Sequence, residues 1–206
     1  MSKATDYLWS FLRPSLGSVG AAAVMGNIQA ESAFIPTNLQ NSYEKKLGMN
    51  DETYTAAVDS GAYSAYSFAH DSAGYGLAQW THWSRKQNLY NYMKQNGLSI
   101  GSLEGQAAFL LWELGQYGLT KKLQETKSLW GATALVLRQY EKPANQSDEN
   151  VTARSRLAQQ ILDTYDKEPD PVPEAPKIDL KAQIEALYLI QDEIGQIIDH
   201  LKEVNK

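Results

Sequence analysis

The chain of 206 residues contains no cysteine, which excludes a disulfide framework, thiolate metal ligands and a cysteine nucleophile. Its three histidines, His70, His82 and His200, stand at no ligand-like spacing. No metal site and no cofactor are therefore expected. No apolar run approaches the length of a membrane span, and the opening MSKATDYLWSFLRP lacks the basic, apolar and small-residue regions of a signal peptide. Synthesis in a cytoplasm is the expectation, and work outside it would need another exit route. A surplus of positive charge is also missing. The net charge is −5, and all of it falls in residues 168–206, where 4 Lys/Arg face 9 Asp/Glu; residues 1–167 carry 15 of each. A nucleic-acid partner has no support from that balance. No repeat recurs at a fixed period. What is present, 43% apolar and 21% charged residues, is the composition of a chain able to pack a core.

The proline spacing divides the chain. Pro169, Pro171, Pro173 and Pro176 favour extended backbone and read as a proline-rich, semi-rigid linker over 168–177. Upstream, residues 1–167 read as a mainly helical domain. Helices are expected at 6–12, stopped near Pro14, and from an N-cap at Ser18, with Gly20, Ala21, Ala22 and Gly26 permitting close approach of neighbours. Further helices are expected at 84–95, 102–116, 128–140 and 148–165. Between Phe34 and Gly76 the helical periodicity fades and Gly, Asn, Asp and Ser accumulate among aromatics. That stretch predicts a small β-hairpin with an irregular excursion, so the fold class is mainly α, with a small α+β element.

Two segments carry chemistry. In Gly26-Asn-Ile-Gln-Ala-Glu-Ser-Ala-Phe-Ile-Pro36, Glu31 ends the small-residue helix, with Asn27 one turn before it on the same face. A carboxyl at the negative end of a helix dipole, beside apolar neighbours, is a candidate general acid; an ordinary solvated Glu is the plain alternative. In Asp71-Ser-Ala-Gly-Tyr-Gly-Leu-Ala-Gln-Trp-Thr81, Gly74 and Gly76 permit a tight turn and close approach to the backbone. Gln79 and Trp80 then offer an amide and a flat apolar face suited to sugars. A glycine turn before a core tryptophan is the plain alternative, and the pattern is no phosphate loop.

Together, Glu-Ser-x-Phe-x-Pro followed by Gly-x-Gly-Leu-x-Gln resembles the lysozyme-like superfamily, in particular goose-type lysozymes and lytic transglycosylases. GNIQAES, NLQNSYEKKLG, AGYGLAQWT, WSRKQNL, SIGSL and QYEKPANQS run in an order that is similar to phage tail-type lysozymes and phage endolysins, over about residues 5–166. The resemblance implies a peptidoglycan hydrolase, a muramidase cleaving the β-1,4 bond between N-acetylmuramic acid and N-acetylglucosamine, with Glu31 as catalytic acid. It also implies a protein made in the host cytoplasm that meets the wall after holin-type release or as a virion component. Goose-type lysozymes carry an Asp just before the turn; here His70 stands there, followed by Asp71, which becomes the candidate base. Glu44 is the reserve second carboxylate. Tyr75, Gln79, Trp80 and Tyr140 are expected to line the glycan groove. A lytic transglycosylase, which needs no water-activating base, and a non-enzymatic wall-binding tail module are the alternatives.

Other positions read as structural. Trp112 and Trp130 fall within apolar helices and are expected in the core, Glu113 on a solvated face, while Arg85 and Lys86 either meet acidic stem-peptide groups or simply begin an exposed helix. Residues 178–206 place Leu180, Leu187, Ile194 and Leu201 on one heptad position and Ile184, Gln191 and Ile198 on another. This predicts an amphipathic C-terminal helix and a homo-oligomer formed through it. Docking back on the catalytic domain is the alternative, and membrane insertion is disfavoured by its acidic charge.

Overall fold

The computed structural model describes residues 3–167, and among them only helices, turns and two isolated β-bridges. The linker over 168–177, the helix over 178–206 and the oligomer expected from it lie outside the described residues. The first helix, α1 (Lys3–Ser32), passes through Pro14 and breaks at Gly17, whose φ of 69° and ψ of 168° are not helical. Its first arm outlasts the stop expected at Pro14 because Leu8, Leu12 and Leu16 are fully buried. Each contributes about 1.5–3 kcal/mol, together more than the roughly 3 kcal/mol that an interior proline costs. Ser18 is not the expected cap; its hydroxyl donates to the Asp166 carboxylate at 2.6 Å.

The second arm is buried from Gly20 to Ile28 and forms the axis of the domain. It packs on α7 (Thr120–Glu125), α8 (Leu129–Leu135) and α9 (Asp148–Tyr165). The small residues are required by backbone contact. A Cβ on Gly26 would lie 2.7 Å from the backbone nitrogen of Ala158 in α9. Gly26→Ala would add about 1 kcal/mol of helix propensity, but the facing backbone cannot yield as a side chain can. We expect a net loss of about 1–3 kcal/mol in urea unfolding, and a stabilised variant would show that the two helices have room to part.

The hairpin expected over 34–76 is absent. The segment forms three short helices, α2 (Asn41–Leu47), α3 (Asp51–Ser60) and α4 (Ala65–His70), and its extended pairing is limited to bridges between Leu39 and Tyr75 and between Tyr75 and Trp80. The residues that suggest hairpin turns are helix punctuation instead. Asn50 forms a capping box with Thr53, Ser64 caps α4, and Gly48 and Gly61 end α2 and α3 in the left-handed conformation. Three of the aromatics form a buried cluster in which the Tyr54 ring lies 5.4 Å from Tyr75 and 6.0 Å from Phe68.

The remaining helices follow the periodicity. They are α5 (Trp83–Gln95), α6 (Leu103–Gln116) and α9, the last two capped by Ser102 and Ser147. Each such cap is worth about 1 kcal/mol. α8 differs from expectation: after Leu135 it widens into a π-helical turn, Val136–Glu141, closed by the amide of Lys142 on the carbonyl of Leu137 at 2.8 Å.

Candidate active site

The two chemical motifs meet in space. Directly after Glu31, the hydroxyl of Ser32 donates to the carbonyl of Leu77 at 2.9 Å, which ties the end of α1 to the Gly74–Gln79 turn. Ala33 and Phe34 then take positive φ values of 50° and 65°, conformations that cost non-glycine residues energy and occur where the surroundings enforce them. In the turn, the Gln106 side chain of α6 fills the space beside Gly76: its Oε1 accepts from Leu77 N at 2.8 Å, and a Cβ on Gly76 would lie 2.6 Å from it. The close approach that Gly76 permits is therefore taken up by this chain's own side chain.

A cleft of about 870 Å³ opens at this junction. Glu31 lines it, as do Gln79 and Tyr140 among the expected groove residues. Gln79 turns its amide nitrogen inward, to the carbonyls of Asn38 and Gly76 at 3.0 and 3.1 Å. Tyr75 and Trp80 do not line the cleft and are fully buried. The Tyr75 hydroxyl pairs with Thr55 at 2.7 Å, and the Trp80 indole N–H donates to Glu113 at 2.7 Å. A large aromatic with one polar atom goes to the core when an acceptor waits there.

Glu113 is that acceptor and is buried rather than solvated. Its carboxylate receives Arg85 through two guanidinium nitrogens, at 3.1 and 2.8 Å, and the Tyr140 hydroxyl at 2.7 Å. Arg85 also stacks on the Tyr140 ring, 4.5 Å from its centroid. Burial holds the Tyr140 hydroxyl well above the usual tyrosine range, so it remains a donor. This closed network fixes Arg85 and Tyr140 in the cleft wall. Trp112 and Trp130, expected in the core, are instead 45% and 40% exposed.

One partner of Glu31 and one cleft residue escape the sequence motifs. Arg154, in α9, donates to Glu31 at 2.6 Å and to Asn27 at 3.2 Å. Its signal was available: with Val151, Ala158 and Ile161 it occupies the buried stripe of α9, where an arginine needs an anionic partner. Glu141 ends the π-helical turn and lines the cleft with Glu31. Its Oε1 is buried without a hydrogen-bond partner. Burial first, then the charge of Glu31, push the Glu141 carboxyl up to about 8, against the pull of Arg85 and Arg154. Ordinary α-helical periodicity gives no hint of this, because the π-turn changes the register. Such turns are frequent at functional sites.

A raised carboxyl keeps its proton in the folded protein after the unfolded chain has lost it. Stability therefore falls as pH rises from the ordinary value of 4.5 to about 8. Glu141→Gln removes this titration. We expect its melting temperature to gain on that of the unsubstituted protein across that interval and to level off above it; parallel profiles would show that Glu141 titrates normally.

The candidate base stands elsewhere. Asp71 does not line this cleft. Its carboxylate pairs with the fully buried Nζ of Lys86 and accepts from the Tyr54 hydroxyl and, at 2.9 Å, from Ala73 N. Its lone pairs are thus committed within the fold, and Lys86 is a core residue rather than part of an exposed helix start. The reserve, Glu44, sits on α2 and does not line the cleft either.

A family model described as phage tail lysozyme matches residues 3–165. No curated protein matches the chain.

Proposed function

The chain belongs to the phage tail lysozyme family, and from that premise we propose that it cleaves the β-1,4 bond between N-acetylmuramic acid and N-acetylglucosamine of peptidoglycan with Glu31 and Glu141 as the working carboxyl pair. Membership makes it a lysozyme-like, cell-wall-lytic enzyme. The observation that carries the finer reading is that the two carboxyls share one cleft in unlike environments, Glu31 paired with Arg154 and Glu141 with its Oε1 buried and without a hydrogen-bond partner. Paired groups whose surroundings drive them apart divide acid from base work. Near neutral pH burial leaves a proton on the Glu141 carboxyl. That proton goes to the glycosidic oxygen as its bond to the muramic C1 breaks; water adds to C1 and returns a proton to the pair. Lysis is expected to fall as pH rises through about 8, and Glu141→Gln to lower it at every pH.

One observation favours a second reading. Asp71, the expected water-activating base, is engaged in the core, and a lytic transglycosylase needs no such base because the muramic 6-hydroxyl attacks C1. Mass spectrometry of fragments from purified peptidoglycan decides between them. Reducing muramic ends support hydrolysis, 1,6-anhydro ends support transglycosylation, and intact walls at every pH would leave a binding module.

A further inference from the structure

Outside the cleft, the most exposed large aromatics among the described residues are Tyr66 and Trp83, at 70% and 54%. They are the outer members of a column of rings. Tyr66 stacks on His70 with centroids 4.1 Å apart and planes 19° from parallel, and His70 stacks on Trp83 at 5.6 Å and 15°. His82 leans on Trp83 at 5.9 Å. The column is held in place: His70 Nδ1 lies 2.9 Å from the carbonyl of Tyr66, and His82 Nδ1 lies 2.9 Å from the Ser84 hydroxyl. It is also continuous with the cleft, since His82 and Ser84, the two chain neighbours of Trp83, both line it.

We propose that Trp83, steadied by His70 and Tyr66, is a stacking platform that carries the peptidoglycan glycan strand beyond the cleft. This rests on the glycan-cleaving reading above. A pyranose ring has a face of C–H groups carrying partial positive charge, which complements the negative face of an indole, while its hydroxyls and N-acetyl groups remain free for polar neighbours. His82 and Ser84 supply such neighbours beside Trp83. A β-1,4 glycan is a long, regular polymer, so a strand seated at Glu31 must leave the cleft across some part of its rim. The rim at Trp83 offers apolar surface that the fold has left to water, and exposed aromatic patches of this kind mark binding grooves. The flat apolar face expected of Trp80 is thus supplied by a residue three positions later.

The test is calorimetric binding of the β-1,4 hexamer of N-acetylglucosamine to the full chain carrying Glu31→Gln, which separates binding from turnover. Adding Trp83→Ala is expected to weaken binding at least tenfold, and Trp83→Phe, which keeps a ring face, to stay within about threefold, both with melting temperatures near the parent. Unchanged binding in Trp83→Ala overturns the platform. That includes the case in which residues 168–206 or a second copy cover the rings, because the full chain is used. Equal losses in both variants, tracking a drop in melting temperature, also overturn it and make the column a clasp between α4 and α5. If the enzyme without substitutions releases no fragments from peptidoglycan while the hexamer still binds through Trp83, the cleavage reading fails and the platform stands.

Discussion

Glu31→Gln is expected to lower lysis of purified peptidoglycan by about 10²–10⁴-fold, the range that positioned proton transfer contributes, while the protein stays folded. Glutamine nearly matches the shape of glutamate and keeps a carbonyl oxygen for Arg154, whose second contact, to Asn27 at 3.2 Å, is untouched. What it lacks is an ionisable carboxyl and its charge. Loss of that charge also relieves Glu141, since Glu31 is one of the groups that push its carboxyl up, and Arg154 then has Glu141 as its remaining anionic neighbour in the cleft. The stability cost should therefore be small beside the catalytic one. Turbidity assays at matched folded concentration, with circular dichroism as the control, separate the two. A folded Glu31→Gln protein that clears walls at the normal rate would remove Glu31 from the chemistry.

How much of this could be read beforehand depends on whether a residue's partners are near it in sequence. The helices α5, α6 and α9 were legible because an apolar stripe is a local signal, reinforced at α6 and α9 by a serine at the cap. So was the close packing around Gly26, announced by its small neighbours. Glu31 and the Gly74–Gln79 turn carried their own motifs, although only the fold shows Ser32 joining them. The region over 34–76 misled because Asn50, Ser64, Gly48 and Gly61 serve helix caps and hairpin turns equally well. The buried charges were the least legible. Glu113 is read as solvated until Trp80, Arg85 and Tyr140, each more than twenty positions away, converge on it. Glu141 depends on a π-turn that no periodicity announces.

Lys86→Met is expected to cost about 3–5 kcal/mol, the range for leaving one member of a buried ion pair alone, and to lower the melting temperature by roughly 6–20 °C. The Lys86 Nζ is fully buried, donates to Asp71, to the Tyr54 hydroxyl at 3.2 Å and to the carbonyl of Ala73 at 2.9 Å, and lies 4.5 Å from the Phe68 ring centroid. Burial pushes the ammonium below the usual lysine range, with Asp71 pulling it back. Methionine fits the apolar surroundings but leaves Asp71 without its cation, with Tyr54, Tyr63 and the Ala73 amide as its remaining donors. Asp71→Asn should be destabilising for the converse reason, because the cation then stays without its anion. Combining the two substitutions should restore part of the loss, since no uncompensated charge is left in the core. The same variants test what Asp71 does. A carboxylate held in this network stabilises the fold under the Gly74–Gln79 turn, so Asp71→Asn should keep its turnover at any temperature where it remains folded. If it instead melts near the unsubstituted protein and loses lysis as Glu31→Gln does, Asp71 takes part in the reaction and the carboxyl pair of the cleft is not sufficient for it.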